Sequence, residues 1–324
     1  MEKILVLGYG PVGAAVVANG AGRSLRVAQR TRPAGLPAGV EFVACDILDP
    51  AAVQAAAQGV TQIVLAVGFA YARTVWRKNW PRAMENVLAA AEAVGARLVF
   101  VDNLYMYGPQ RTPLHEDMAL TRFGAKPAIR AAITETWLTA HRAGRVRVAA
   151  LRASDFYGPG VAQSHLGEMG LAALAQGKPA MLIVDPDQPH DFAYVPDIAR
   201  AVWSLLDAGD EDFGQAWHVP QAAIRSTRQV LALGAAVAGV PLKIRRVPMA
   251  LLPVLGVFNP LLREMVEMRF QWDRPYRVDA TKFARRFWSD PTPFETGVAQ
   301  TIRSFQPQLV VGASDTAQAH GSRA

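Results

Sequence analysis

The chain opens with an apolar run that breaks into three spaced glycines, and no other feature constrains the fold as strongly. Ile4–Leu7 are four aliphatic residues in a row, a pattern typical of parallel strands that are covered on both faces. Gly8, Gly10 and Gly13 follow. Such glycines permit a tight turn, a close approach of the backbone to a pyrophosphate, and close packing of the next helix. The segment therefore predicts a strand–turn–helix unit that binds a dinucleotide.

Pro11 marks the start of the predicted helix. Proline suits a first helical turn because the N–H that it lacks would have no partner there. The remaining N–H groups of that turn are free, and together with the helix dipole they bind phosphate. The loop residues that we expect to contact the cofactor are Gly8, Tyr9, Gly10, Pro11, Val12 and Gly13.

The chain has 324 residues, enough for one large domain or two closely associated ones. Its single cysteine, Cys45, excludes an internal disulfide and fits a reducing compartment. The sequence enters a strand at once, without the leader of a secreted protein. The most apolar late stretch, Met249–Leu262, is too short and too interrupted by proline to span a bilayer. We therefore expect a cytoplasmic protein without a membrane partner.

The net charge of the chain is +7 at neutral pH. Its arginines are scattered along the sequence rather than gathered into a basic block with interleaved aromatic residues, which is the pattern of a nucleic-acid-binding protein. An arginine-rich surface with a site for an anionic cofactor explains the charge better. We expect no nucleic-acid partner.

Apolar runs alternate with helical patterns through the first half of the chain. This alternation predicts an α/β protein with a Rossmann-type, doubly wound parallel sheet, which binds its ligands at the carboxyl ends of the strands. The predicted strands are Leu25–Gln29, Glu41–Ala44, Gln62–Ala66, Arg97–Asp102 and Val146–Arg152, with helices around Pro50–Gln58, Trp80–Val94 and Ile129–Arg142.

The pattern loosens after Gly158 into loops rich in proline and glycine, with short strands at Ala180–Val184 and Lys243–Val247. We interpret this part as a smaller α+β substrate lobe. The predicted division is a Rossmann domain of residues 1–158 and 189–220, a substrate lobe of residues 159–188 and 221–310, and a flexible tail of residues 311–324.

The second predicted strand ends without an acidic residue. In NAD-binding folds of this type, a carboxylate about 20 residues past the glycines binds the ribose 2′-hydroxyl. No Asp or Glu occurs from Lys3 to Val40, and the strand is followed by Arg30 and Arg32. An arginine there can bind the 2′-phosphate of NADP. The sequence therefore favours NADP(H) over NAD(H), which stays possible if both arginines are only solvated loop charges.

Several later segments carry a family resemblance. They are Cys45–Ile47, Leu65–Gly68, Val101–Gly108, Arg152–Gly160, Asp191–Ala199 and Arg274–Asp279. With them, residues 3–306 resemble the extended or atypical short-chain dehydrogenases/reductases, the NAD(P)-dependent epimerase/dehydratase family. The resemblance implies that Asp46 accepts a hydrogen bond from the adenine amino group, that the cofactor passes the fourth-strand turn, and that a homodimer is possible. The further residues implied in cofactor binding are Asp46, Ile47, Ala66, Val67 and Gly68.

The chain departs from this family at its catalytic residues. Members use a tyrosine as general acid/base and a lysine four residues later, because a cation must lower the pKa of a phenol that otherwise titrates near pH 10. No Tyr-x-x-x-Lys occurs here. The spacing from Tyr107 and Gly108 places the missing pair near Lys126 and Arg130, or one residue later at Pro127 and Ala131.

Other groups are then candidates for the catalytic roles. Tyr105, beside the end of the fifth strand, is the first candidate for proton transfer, and Lys126 is the second. Lys126 and Arg130 would share a helix face and could hold the cofactor ribose or an anionic substrate. Asn103 occupies the position of the family's serine and can only form hydrogen bonds. Asp102 is expected to pair with an arginine rather than to act as a base.

Five further residues are predicted to face a small-molecule substrate. Each could also be an ordinary hydrogen-bonded loop residue. The six histidines of the chain show no metal-ligand spacing, so we predict no metal. The predicted substrate-binding residues are Asp155, Tyr157, His165, His190 and Arg274.

These observations predict an NAD(P)-dependent oxidoreductase of the epimerase, dehydratase or reductase type with atypical proton-transfer residues. Its substrate would be a small hydroxy or carbonyl compound, either a nucleotide sugar held by late arginines such as Arg274, or an apolar ketone held by Met249–Leu262. The alternative is a non-catalytic NADP(H)-binding sensor, which the missing acid/base pair favours.

Overall fold

A computed structural model describes residues 2–183, 185–247, 257 and 260–306 of the chain. The predicted tail of residues 311–324, Val184 of the predicted short strand, and most of Met249–Leu262 lie outside these described residues. Within them, no helix combines the length and the apolar composition needed to cross a lipid bilayer.

Strands and helices alternate through the first part of the chain. The strands are β1 (Lys3–Leu7), β2 (Ser24–Gln29), β3 (Glu41–Ala44), β4 (Gln62–Leu65), β5 (Arg97–Asp102), β6 (Val148–Arg152), β7 (Asp155–Tyr157), β8 (Ala180–Leu182), β9 (Pro189–His190), β10 (Phe192–Tyr194), β11 (Gln215–His218), β12 (Arg225–Ser226) and β13 (Ile244–Arg246). The helices are α1 (Pro11–Ala18), α2 (Pro50–Ala57), α3 (Arg73–Val94), α4 (Lys126–Arg142), α5 (Ala172–Ala175), α6 (Val195–Leu206), α7 (Thr227–Ala238), α8 (Pro260–Val266), α9 (Thr281–Arg286) and α10 (Phe294–Phe305).

Seven strands form one sheet in the order β11-β6-β5-β4-β1-β2-β3, and every pairing between them is parallel. The strand order reverses between β1 and β4. In doubly wound sheets, ligands bind in the crevice that this reversal opens at the carboxyl ends of the strands. The predicted fold class is therefore confirmed, and the glycine loop after β1 lies at the reversal.

Side chains of β1 alternate between two hydrophobic layers. Leu5 and Leu7 pack into the layer that contains residues of α2, α3 and α4. Ile4 and Val6 pack into the layer that contains residues of α1 and α6. All four side chains are buried, and each contributes about 1.5–3 kcal/mol relative to an exposed position. This covering on both faces explains why the strand is continuously apolar.

Two helices begin earlier than the sequence predicts. α3 starts at Arg73 instead of Trp80, although Pro81 lies inside it. Proline usually marks a first turn, but here the buried Trp76 and Trp80 hold the extra turns against the core. α4 starts at Lys126 instead of Ile129. This earlier start puts Lys126 at the head of the helix.

The later part of the chain builds a third core of its own. Residues of α5, α7 and α10 contribute Leu174, Leu231 and Val298 to it. The short strands β8 and β13 pair in parallel beside it, and both are shorter than the sequence predicts. Tyr71 and Tyr105 of the sheet region pack against this core. The lobe therefore meets the sheet at the carboxyl ends of β4 and β5.

Candidate active site

The glycine loop is shaped by close contacts at two of its glycines. Gly8 has a φ of +94°, and a Cβ there would lie 2.8 Å from the carbonyl oxygen of Ala66. A Cβ on Gly13 would lie 2.1 Å from the carbonyl oxygen of Gly8. A Cβ on Gly10 would meet no atom within 4 Å. Two glycines thus serve internal packing, while Gly10 leaves room at the start of α1 for a ligand.

The start of α1 offers free donors to such a ligand. Gly10 is the N-cap residue and has no side chain to bind the first N–H groups, and Pro11 follows it. An uncapped N-terminus with a glycine approach fits a pyrophosphate. Val12 and Gly13 are buried behind this edge, and Tyr9 is half-buried.

Gln29 occupies the end of β2, where a carboxylate would bind a ribose. Its Oε1 accepts a hydrogen bond from the Tyr9 N–H at 3.1 Å, and its Nε2 donates to the Thr31 carbonyl at 2.8 Å. Arg30 and Arg32 are exposed beside it, and the guanidinium of Arg32 lies 5.6 Å from the centre of the Phe42 ring. The end of β2 is therefore fixed to the glycine loop and carries positive charge.

Two other predicted cofactor segments lie at the same edge of the sheet. Asp46 follows β3, is exposed, and accepts a hydrogen bond from the Leu48 N–H at 3.0 Å, while the neighbouring Ile47 is buried. Ala66–Gly68 follow β4, and a Cβ on Gly68 would meet nothing within 4 Å. The predicted cofactor residues therefore follow four neighbouring strands: the glycine loop follows β1, Arg30 and Arg32 follow β2, Asp46 and Ile47 follow β3, and Ala66–Gly68 follow β4.

Lys126 is fully buried and bound to two carboxylates. Its Nζ donates to Glu264, and it donates to Oε1 of Glu267 at 2.9 Å. Nζ also lies 4.6 Å from the centre of the Tyr71 ring. The glutamates come from α8 and the residue after it, so this Lys126 clamp (Lys126, Glu264 and Glu267) joins the lobe to the head of α4. The position predicted for a proton-transfer group is occupied by a buried ion-pair cluster.

Arg130, one turn further along α4, forms a second buried ion pair. Its NH1 lies 3.0 Å from Oδ1 of Asp102, and the guanidinium lies 3.7 Å from the centre of the Trp80 ring. The prediction that Asp102 pairs with an arginine is confirmed. Burial raises the pKa of Asp102, against the lowering effect of Arg130 and Arg152. Lys126 and Arg130 share one helix but point their charges at different carboxylates.

Tyr105 lies directly after β5, where the sequence predicts a proton-transfer group. Its ring stacks on Trp76 with 6.0 Å between ring centres. Its hydroxyl interacts with the side chains of Tyr71 and Gln271. Burial, and then the charge of Asp155, raise the pKa of Tyr105 well above its ordinary value. The phenol is therefore protonated at neutral pH, and it is a weaker acid than an ordinary tyrosine.

Asn103 precedes Tyr105 and is half-buried. Its Oδ1 accepts a hydrogen bond from the Tyr105 N–H at 3.0 Å. This bond orients the side chain so that its amide N–H groups can donate to a substrate oxygen. Asn103 cannot supply a proton.

Three of the five predicted substrate residues come together. Nε2 of His190 lies 3.0 Å from Oδ2 of Asp155, and the rings of His165 and His190 lie 5.9 Å apart. The Trp272 Nε1–H donates to the same Asp155 oxygen at 3.1 Å. Burial acts to raise the pKa of Asp155, but the hydrogen bond and charge of His190 leave it below its ordinary value. Burial lowers the pKa of His165 to about 4.

The other two do not join this group. Tyr157 is buried in the lobe core, with its ring 5.1 Å from Tyr194 and 5.5 Å from Phe294. Arg274 is paired with its neighbour Asp273, with 2.5 Å between Nε and Oδ1. The sequence analysis places Tyr157 in a loop, but it is the last residue of β7, and its ring packs into the lobe core.

Four residues that contact Lys126 or Tyr105 were not predicted from the sequence. Glu264 and Glu267 stand three apart, a spacing that puts two carboxylates on one helix face and could have indicated a cation partner. Tyr71 and Gln271 give no comparable signal, since neither belongs to a motif or a periodic pattern.

The parallel sheet with its glycine loop at the strand reversal defines a Rossmann-type dinucleotide-binding fold. A model of the NAD dependent epimerase/dehydratase family matches residues 4–219, more than half of the chain. The chain therefore belongs to this family of enzymes, as the sequence resemblance predicts, and the family's cofactor is a nicotinamide dinucleotide.

Solved structures share the fold at low identity. UDP-glucose 4-epimerase of Thermus thermophilus, in complex with NAD, has 20% identity and a TM-score of 0.74, covering 94% of this chain and 98% of that chain. The dTDP-glucose 4,6-dehydratase of Streptomyces venezuelae, with NAD bound, has 19% identity and a TM-score of 0.75, covering 94% and 96%. An epimerase of Methanothermobacter thermautotrophicus has 16% identity and a TM-score of 0.78, covering 94% and 92%. A search of curated proteins found no match.

Proposed function

We propose that this protein uses a nicotinamide dinucleotide to oxidise or reduce a small hydroxy or carbonyl compound in the crevice beside β1. The observation that carries the proposal is the glycine loop, where Gly8 and Gly13 are needed for packing and Gly10 leaves open space at an uncapped helix start. When bound, the nicotinamide supplies hydride exchange. The residues of this chain bind the cofactor, orient the substrate oxygen, and move the proton.

Tyr105 is the proposed proton donor. It follows strand β5 at the binding edge and is protonated at neutral pH, although burial raises its pKa and makes the phenol a weaker acid than an ordinary tyrosine. The amide of Asn103 would hold the substrate oxygen. Lys126 is less suited to proton transfer, because its ammonium already binds two carboxylates. Arg130 would contribute positive charge behind the site while remaining paired with Asp102.

The proton-donor role is tested with Tyr105→Phe. We expect turnover to fall about 10²-fold or more, because general acid catalysis contributes 10²–10⁴-fold. The dinucleotide Kd should stay unchanged. Tyr157→Phe is the control, since Tyr157 is a more deeply buried tyrosine within the lobe core. Equal turnover of Tyr105→Phe and the wild type would remove Tyr105 from the mechanism.

The proposed cofactor preference is NADP(H). One support is the positive charge of the exposed Arg30 and Arg32. The other is Gln29, whose neutral amide stands where a carboxylate would repel the 2′-phosphate. The competing interpretation is NAD(H), the cofactor named for the family and for two of the solved structures above. Fluorescence titration decides between them: the proposal expects tighter NADPH than NADH binding, and a loss of that difference in Arg30→Ala. Equal or tighter NADH binding in the wild type contradicts it.

A dinucleotide sensor without catalytic activity is the second candidate function. The observation in its favour is that Lys126 and Arg130, near which the family resemblance implies the catalytic pair, are both held in buried ion pairs. A sensor would bind NADPH and turn over no member of a panel of nucleotide sugars, ketones and aldehydes. Any saturable NADPH oxidation on that panel favours the enzyme.

A further inference from the structure

A cavity of about 380 Å³ lies beyond β11, the edge strand of the seven-stranded sheet. Its volume lies within the range of small-molecule sites. Its lining includes the buried Asp191 and Pro220 as well as the exposed Ile224 and Thr281, so the cavity leads from the surface into the protein. In the part of the chain that the structure describes, neither Tyr105 nor the glycine loop lines it. The cavity is therefore separate from the candidate active site.

The carboxylate of Asp191 is only partly satisfied by the protein. Its Oδ2 accepts a hydrogen bond from the Val278 N–H at 2.7 Å, whereas its Oδ1 has no hydrogen-bond partner among the described residues. Asp191 is only 8% exposed, so its carboxylate has lost most of its contact with water. A carboxylate in such a place is stabilised by a cation or by further donors. Because Asp191 lines the cavity, a ligand bound there can supply them.

The protein supplies no cation to this cavity. No lysine or arginine belongs to its described lining, and Asp279 adds a second carboxylate. Burial raises the pKa of Asp191 to about 6, while the charges of His190 and Arg277 act in the opposite direction. Neither of these two side chains binds the Asp191 carboxylate within the described part of the chain. At pH 8 the cavity therefore carries two negative charges without a bound cation.

The remaining wall is made of one amide and several small apolar groups. The Nε2 of Gln221 is shielded from solvent and has no hydrogen-bond partner in the described structure. Ala222, Ala280 and Ala284 present methyl groups to the cavity, and such groups pack against a hydrocarbon chain. The cavity thus combines a free anionic acceptor with a short apolar lining.

We propose that this cavity is a second ligand site, which binds a small organic ammonium compound through Oδ1 of Asp191. An ammonium group carries three N–H donors and one positive charge, so it satisfies the free oxygen and offsets the buried charge. The hydrocarbon chain of the ligand packs against the alanines of the wall. An alcohol offers only one neutral donor, and a carboxylate is repelled. The site does not depend on the proposed function, because it lies apart from the glycine loop and Tyr105.

Three probes of equal chain length test the proposal, namely butylammonium, butan-1-ol and butyrate. Their binding is titrated by saturation-transfer difference NMR at pH 8 and at low, matched ionic strength. We expect saturable binding of butylammonium, a Kd for butan-1-ol at least tenfold weaker, and no binding of butyrate, because hydrogen bonds to charged groups are the stronger ones. Equal binding of butylammonium and butan-1-ol, or no saturable binding of butylammonium, overturns the proposal and leaves the cavity to water.

Variants locate the binding in the cavity. Asp191→Asn removes the charge and keeps an oxygen for the Val278 N–H, and it should weaken butylammonium binding at least tenfold. Glu135→Gln is the matched control, because it removes one exposed carboxylate from α4 and should leave the Kd unchanged. Equal Kd values for these two variants would contradict the site.

A third variant tests the cavity without altering its charge. Ala284→Leu places a larger apolar side chain in the wall, and it should abolish binding of butylammonium and butan-1-ol alike. Circular dichroism verifies that each variant is folded, and Ala284→Leu keeps the test decisive if Asp191→Asn does not fold. Unchanged butylammonium binding by folded Ala284→Leu would place the ligand elsewhere on the protein and overturn the proposal.

Discussion

Replacing Lys126 by methionine should destabilise the protein far more than breaking a surface ion pair. The ammonium of Lys126 has no exposure, and the side chains of its partners Glu264 and Glu267 are 9% and 20% exposed. Lys126→Met therefore leaves Glu267 without its cation, and it leaves Glu264 with only the exposed Arg73 guanidinium, whose Nε lies 3.9 Å from its Oε1. Breaking a buried pair by removing one partner costs about 3–5 kcal/mol. At about 2–4 °C per kcal/mol for a domain of this size, the Tm should fall by about 6–20 °C.

The comparison variant is Arg145→Met. Arg145 and Glu92 form a pair whose side chains are 49% and 41% exposed, and such pairs contribute about 0–1 kcal/mol. Its Tm should therefore change by less than about 4 °C. Thermal unfolding followed by circular dichroism measures both. A Lys126→Met shift no larger than that of Arg145→Met would refute the reasoning.

A second variant separates charge from packing. Glu264→Gln, added to Lys126→Met, removes one of the two carboxylates and keeps an oxygen for the Arg73 N–H that Glu264 binds at 3.0 Å. The double variant should recover part of the lost Tm, because the cost comes from the uncompensated charge. A further fall in Tm would assign the loss to packing of the lysine side chain instead.

Three other predictions concern backbone space and protonation. Gly13→Ala should lower the free energy of unfolding by about 1–3 kcal/mol, because its Cβ would lie 2.1 Å from a backbone oxygen. Gly10→Ala should leave the Tm unchanged and weaken dinucleotide binding. Equal Tm losses in the two variants would contradict the described loop. Burial lowers the pKa of His218 to about 3. The contribution of the neutral imidazole to stability is therefore complete above about pH 6.5, and it is lost as the pH falls below that value. In urea titrations at several pH values, His218→Gln should make the free energy of unfolding fall less steeply with decreasing pH, and an unchanged pH dependence would contradict this role of His218. Burial raises the pKa of Asp191 to about 6, so its contribution is complete below about pH 4 and is lost as the pH rises through 6. Relative to Asp191→Asn, the wild type should lose up to about 3 kcal/mol across that interval, and a pH-independent difference would oppose the assignment.

The sheet and the glycine loop could be predicted because their signals are local. Ile4–Leu7 are apolar without interruption, since the strand is covered on both faces. Gly8 and Gly13 follow because other backbone atoms lie too close to them for a side chain. The two α-helical starts at Arg73 and Lys126 were missed, because packing and not propensity decides them.

The contacts of the candidate active site could not be predicted in the same way. Lys126 meets Glu264 across 138 residues of sequence, and no period or motif links residues that far apart. The sequence predicts that Asp102 pairs with an arginine, since a buried carboxylate at the end of a strand needs a cation. The identity of that cation follows only from how α4 packs on β5.

The Lys126 clamp also bears on attempts to build the family's acid/base tyrosine into this chain. Lys126→Tyr would set a phenol between Glu264 and Glu267, and their negative charges would oppose its ionisation. Glu267 would in turn lose its cation. An engineered acid/base tyrosine at this place therefore requires that the two glutamates of the lobe be changed as well.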